Sequence, residues 1–102
     1  MRVKVKYFIT LREVAQRPYE EFELKDDATL ADLIEAIALK YGCEARRYLY
    51  SDENRGTIDP SIYFLINGRN SKTLGGFKTF LKDGDGAAII PPIASHFSHP
   101  SW

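Results

Sequence analysis

An α+β domain, with a mixed sheet of four to five strands and one main helix packed on one face, is what this sequence predicts. Three observations predict it. Strict alternation opens the chain, an apolar stripe of helical period occupies residues 30–41, and β-rich runs bounded by Asn-Gly and Asp-Gly turns fill the second half. The chain has 102 residues, 44% of them hydrophobic. That suffices for one compact core and leaves no room for two.

Val3, Val5, Tyr7 and Ile9 alternate with Arg2, Lys4, Lys6 and Phe8, the pattern of a strand with one buried and one solvated face. Residues 11–16 tolerate a helix but run into Arg17-Pro18, so a short turn is expected before a second strand over 19–24. Phe22 and Leu24 take its core face, and the two strands form a hairpin. Thr29 can cap a helix, with Asp32 placing negative charge in the first turn. Leu30, Leu33, Ile34, Ile37, Ala38 and Tyr41 then make one apolar stripe, with Asp32, Glu35 and Lys40 on the other side, and Gly42 is the natural stop.

Residues 43–60 show no sustained period and read as a surface connection anchored by Tyr48, Leu49 and Tyr50. A third strand over 61–66 meets the tight turn Asn67-Gly68. Leu74 to Phe77 and the pair Phe80-Leu81 follow, and the turn Lys82-Asp83-Gly84-Asp85-Gly86 leads into an apolar run, 87–90, closed by Pro91-Pro92. That run reads as a last strand buried on both faces. Residues 95–102, SHFSHPSW, have neither period nor partner pattern and read as a tail on a domain of residues 1–94. Strand, strand, helix, strand, short strand, strand is the order of a β-grasp.

Composition excludes several roles. Fourteen Lys+Arg balance fourteen Asp+Glu, so nucleic-acid binding has no electrostatic footprint. The longest apolar run, 87–93, is far too short to cross a membrane, and the alternating N-terminus is unlike a signal peptide. A single cysteine forms no internal disulfide and no CxxC site, which points to the cytoplasm.

His96, His99 and Cys43 are zinc-type ligands, but a structural site needs four at closer spacing, so no metal is expected. Asp83-Gly84-Asp85-Gly86 lacks the remaining acidic positions of a calcium loop and reads as a turn. Cys43 stands near Arg46 and Arg47, yet no base accompanies it, and a half-buried structural thiol is the expectation. Arg46, Arg47, Tyr48 and Tyr50 offer stacking groups for a single strand of nucleic acid, but the neutral charge favours an anchored loop. No catalytic constellation and no cofactor-binding pattern stands out.

The motifs resemble a known family, the MoaD/ThiS ubiquitin-like sulfur carriers typified by the small subunit of molybdopterin synthase. Tyr7-Phe8 with Leu11-Arg12-Glu13, the segment ATLADLIEAIALKYG at 28–42, Ile66-Asn67-Gly68, and the closing Thr79, Leu81 to Asp85, Ala88-Ile89 and Pro91 to Ala94 carry the resemblance. It implies a ubiquitin-like β-grasp serving sulfur transfer or molybdenum/tungsten cofactor (molybdopterin) biosynthesis. The protein would be a non-catalytic small subunit or carrier, not an enzyme alone. In the family a C-terminal Gly-Gly carboxylate is adenylated and converted to a thiocarboxylate, because residues without Cβ let the chain thread a narrow channel. Implied partners are a ubiquitin-activating-type adenylyltransferase or a large synthase subunit. By the same resemblance partners engage the exposed sheet face and the C-terminal segment, with Pro92, Ile93 and Ala94 as the implied docking residues. Where the family has Gly-Gly this sequence has Ser95-His96, and its one Gly-Gly pair, Gly75-Gly76, is internal. A second reading is therefore a degenerate ubiquitin-like binding or regulatory module without the thiocarboxylate terminus.

Overall fold

The computed structural model describes residues 1–52 and 57–91. Pro92, Ile93 and Ala94, His96 and His99 lie outside the described residues. Seven strands and three helices occupy the described residues: β1 (Arg2–Tyr7), α1 (Thr10–Ala15), β2 (Tyr19–Glu23), α2 (Leu30–Tyr41), α3 (Cys43–Leu49), β3 (Tyr50–Asp52), β4 (Thr57–Ile58), β5 (Tyr63–Ile66), β6 (Arg69–Asn70) and β7 (Gly86–Ile90). Five strands make a mixed sheet in the order β2-β1-β7-β5-β6, with β3 and β4 pairing separately. β7 runs parallel to β1 and antiparallel to β5. This is the β-grasp order that the sequence predicts.

The helix α2 packs its stripe on one face of the sheet. Leu30, Leu33, Ile34, Ile37 and Ala38 are buried, as are Val3, Val5, Tyr7, Phe64, Ile66, Ala87 and Ile89 from the strands. Thr29 and Asp32 form a reciprocal capping box, the Asp32 N–H donating to Thr29 Oγ1 and the Thr29 N–H to the Asp32 carboxylate at 2.9 Å. Gly42, at φ 76°, ends α2 and starts α3, a backbone angle that a side chain would strain.

Four expectations need correction. Ile9 leaves the strand: it sits at φ 51°, 50% exposed, as the residue before α1. Residues 10–15 form a helix, not a turn, because Leu11 and Ala15, one helical turn apart, both enter the core. Residues 43–49 are likewise helical, with Ala45 and Leu49 buried at the same spacing. The last strand is buried on one face only: Ala87 and Ile89 are inside, while Gly86, Ala88 and Ile90 are partly exposed. No helix of the sheet's open side covers them among the described residues.

Candidate functional site

The open face of the sheet is built by the alternate residues of the strands whose other half makes the core. Pairing brings Lys6 of β1 beside Ala88 of β7 and Ala88 beside Leu65 of β5. One register step on, Ile90 pairs with Tyr63. Because β7 contributes only glycine and alanine at Gly86 and Ala88, the face sinks along that strand. The result is an open trough of about 310 Å³, walled by Lys4, Lys6 and Phe8 on one side and Leu65 on the other, with Ile90 at one end. Phe8 and Tyr63 are each 40% exposed. Apolar groups left uncovered beside cations mark a surface suited to a partner.

The far end of the trough is held rigid by Asn67 and Asp85. The Asn67 N–H donates to the Gly86 carbonyl at 2.8 Å, and its side chain accepts from the Gly86 N–H at 2.9 Å and donates to Asp85 Oδ1 at 3.0 Å. Asp85 Oδ2 accepts from the Lys82 N–H, and Asp83 Oδ1 from the Arg2 N–H at 2.7 Å. Asp85 is thus engaged by the turn and by Asn67, and Asp83 by the start of β1, which accounts for both carboxylates as turn-fixing groups. Asn67 and Gly68, with positive φ of 52° and 83°, make the neighbouring hairpin turn.

The covered face holds a polar cluster that the sequence reading did not single out. Glu20 stands at a core position of β2, with its carboxylate 4% exposed. It accepts from Tyr7 Oη at 2.5 Å, from Tyr41 Oη and from Lys40 Nζ at 2.5 Å, with Arg17 Nη1 at 3.7 Å. Burial pushes its pKa up, but the hydrogen bonds from Lys40, Tyr41 and Tyr7 together outweigh that and hold it below the usual carboxylate range. Burial, then the bond to Glu20, pushes Tyr41 up to about 12 and Tyr7 well above its ordinary value. An ionised carboxylate held by protonated phenols has no proton to exchange near neutrality. The cluster ties the sheet's edge strand to the end of α2. Its signal lay in the alternation: Glu20 is in phase with Phe22 and Leu24, a charge where the core expects an apolar group.

The remaining candidates fall apart. Arg46 and Tyr50 are turned inward on Glu35, Arg46 Nη2 donating at 3.0 Å and Tyr50 Oη at 2.6 Å. They lock α3 to α2, and with Tyr48 half-buried they do not line up as a stacking surface. Cys43 is exposed, not half-buried, because α3 begins there on its solvent side. Gly75-Gly76 lies in a short 3-10 turn before β7, where the Gly75 N–H donates to Thr79 Oγ1 at 2.9 Å. Among the described residues no helix is long and apolar enough to cross a membrane.

Comparison with known proteins adds three likenesses and a family model. The ThiS family model matches residues 5–94. Small archaeal modifier protein 3 of Haloferax volcanii is 32% identical over 94 residues, covering 92% of this chain and 98% of its own. A molybdopterin synthase sulfur carrier subunit of Chlamydomonas reinhardtii is also 32% identical over 94 residues, with the same coverage. The solution structure of small archaeal modifier protein 1 from Methanosarcina acetivorans superposes with a TM-score of 0.77 at 33% identity, covering 91% of this chain and 94% of that one.

Proposed function

Because the chain belongs to the ThiS family, a group of MoaD/ThiS-like proteins with the ubiquitin fold, we propose that it works as a non-catalytic small subunit or carrier in sulfur transfer linked to molybdopterin synthesis. It docks to its partner through the open sheet face. The observation that carries this reading is the trough over Gly86 and Ala88. It joins uncovered apolar groups to two lysines and ends at Ile90, the last residue of β7. The partner classes are a ubiquitin-activating-type adenylyltransferase or a large synthase subunit, and Pro92, Ile93 and Ala94 are the docking residues that the family resemblance implies. The family match ending at residue 94 supports a domain of 1–94 followed by the segment 95–102. The lone cysteine is in keeping with a cytoplasmic setting.

Docking needs only the sheet face, whereas sulfur carriage needs a terminus that can be adenylated, and Ser95-His96 stand where the family has Gly-Gly. The likeness to a small archaeal modifier protein favours a second reading, a ubiquitin-like binding module that keeps the face without the carrier step. Calorimetry with the purified adenylyltransferase and large synthase subunit of the source organism tests the shared claim. One of them should bind the full chain, and Leu65→Asp should weaken binding about tenfold or more, since a buried unpaired charge is costly at an interface. Equal affinity of that variant, or no binding by either protein, overturns the docking reading. Intact mass of the chain from its own cells separates the two readings: a gain of sulfur for oxygen supports carriage, and an unmodified chain supports the module.

A further inference from the structure

We propose that the protein docking on the open face carries one apolar side chain that seats over Gly86 and Ala88 and, beside it on the β1 side, a carboxylate that meets Lys6 and Lys4. The inference rests on the docking reading above and specifies the partner's chemistry.

The charges of the open face are unevenly matched. Arg2, Lys4 and Lys6 form one column along β1, in register with Glu23, Glu21 and Tyr19 of the edge strand β2. Arg2 is paired, its Nη2 donating to Glu23 Oε1 at 2.9 Å. Glu21 stands opposite Lys4 without forming an ion pair, and Lys4 instead lays its ammonium 4.4 Å from the centre of the Tyr19 ring. That contact holds the cation in place. Lys6, beside Ala88, has no ion pair among the described residues. Asp85, the carboxylate at the trough's far end, is already engaged by Asn67 and the Lys82 N–H. The face therefore grades from neutral at Arg2 to uncompensated positive charge at the middle of the trough, although the chain as a whole is neutral.

Covering that place has a physical requirement. A protein that closes over Ala88 and Leu65 strips water from the lysine wall, and an ammonium that loses water without gaining a partner is costly. The lysine stems lie along apolar surface readily, but the heads need an acceptor. Adjacent strands stand roughly 5 Å apart, so an anchor over β7 and a carboxylate over β1 are separated by about the distance between same-face neighbours on one helix or strand. One element of the partner carries both. On the β5 side the wall is Leu65, with Tyr63 beyond it, and these call for no charge.

Other occupants match less well. A second copy paired about a two-fold over β7, with strands aligned, sets each lysine against the other copy's Leu65 or its lysines, and supplies no carboxylate. A nucleic acid is held by a row of phosphate contacts, which two lysines on a neutral chain do not provide.

The test carries the calorimetry to the lysines, with the full-length chain and the same adenylyltransferase and large synthase subunit. Lys6→Glu should weaken the complex about tenfold or more, since like charges then meet, and Lys6→Gln should weaken it less while flattening the loss of affinity that added salt causes in the unaltered chain. Lys6 is exposed, so both variants keep the fold, checked by circular dichroism. Unchanged or tighter binding by Lys6→Glu overturns the inference, and when Leu65→Asp still weakens the complex the docking reading survives. Equal weakening by Lys6→Gln and Lys6→Glu with an unaltered salt dependence means that only the stem packs, and overturns it too. Binding indifferent to Leu65→Asp, or no binding by either protein, removes the docking reading and the inference together.

Discussion

The two faces of the β-sheet are made by the same strands and do opposite work. On one, Val3, Val5, Tyr7, Ala87 and Ile89 are covered by α2 and make the core. On the other, Lys4, Lys6, Phe8, Ala88 and Ile90 stay in contact with solvent. Removing a residue from the first face takes stability with it, because packing there is dense and a cavity is left. Removing one from the second should cost little stability, because its neighbours on that side are solvent.

The largest expected effect is on the covered face. Leu33, fully buried on α2, should cost about 3 kcal/mol or more when changed to alanine, read from chemical denaturation. Glu20→Ala comes next. It leaves Tyr7 and Tyr41 without their acceptor, and with Lys40 half-exposed the loss should be about 2 kcal/mol. Because folding lowers the pKa of Glu20, its contribution is present above the ordinary carboxylate range and is lost as pH falls through the lowered value. Glu20→Gln should accordingly flatten the acid limb of a stability–pH curve at and below about pH 4, the ordinary Glu value. An unchanged slope would show that the network adds nothing in acid.

Smaller effects sharpen the comparison. Thr29→Ala removes the cap of α2 and should cost about 1 kcal/mol, measured by thermal or chemical unfolding. Ala88→Lys, on the open face, should change stability by less than about 1 kcal/mol while abolishing partner binding. A loss as large as that of Leu33→Ala would mean that the open face is part of the core and not a surface set aside for docking.

Much of the fold was legible in the residues. The helix α2 announced itself through Thr29, Asp32 and a stripe long enough to show its period, and β1 through five alternations. The helices α1 and α3 did not. With six and seven residues and two buried positions each, they are too short for a period to emerge and are held by packing instead of propensity. For the candidate site, resemblance pointed to the exposed sheet face and to 92–94, but the trough over β7 went unseen because Ala88 and Ile90 read as ordinary core residues. An apolar residue at the right phase looks the same whether or not something covers it. Glu20 was missed for the converse reason, as one charge among the glutamates of β2.

Local pattern alone determined the longer strands β1, β2, β5 and β7, where the main helix begins and ends, and the turns at Asn67-Gly68 and Gly84, since these depend on neighbours in the chain. Tertiary structure decided the rest. Placing β7 between β1 and β5 made a trough of Ala88, and burying Glu20 against Tyr7, Tyr41 and Lys40 turned a surface charge into a clamp. Both outcomes rest on contacts between residues far apart in sequence. Burial and pairing belong to such contacts, and a single chain read in order does not contain them.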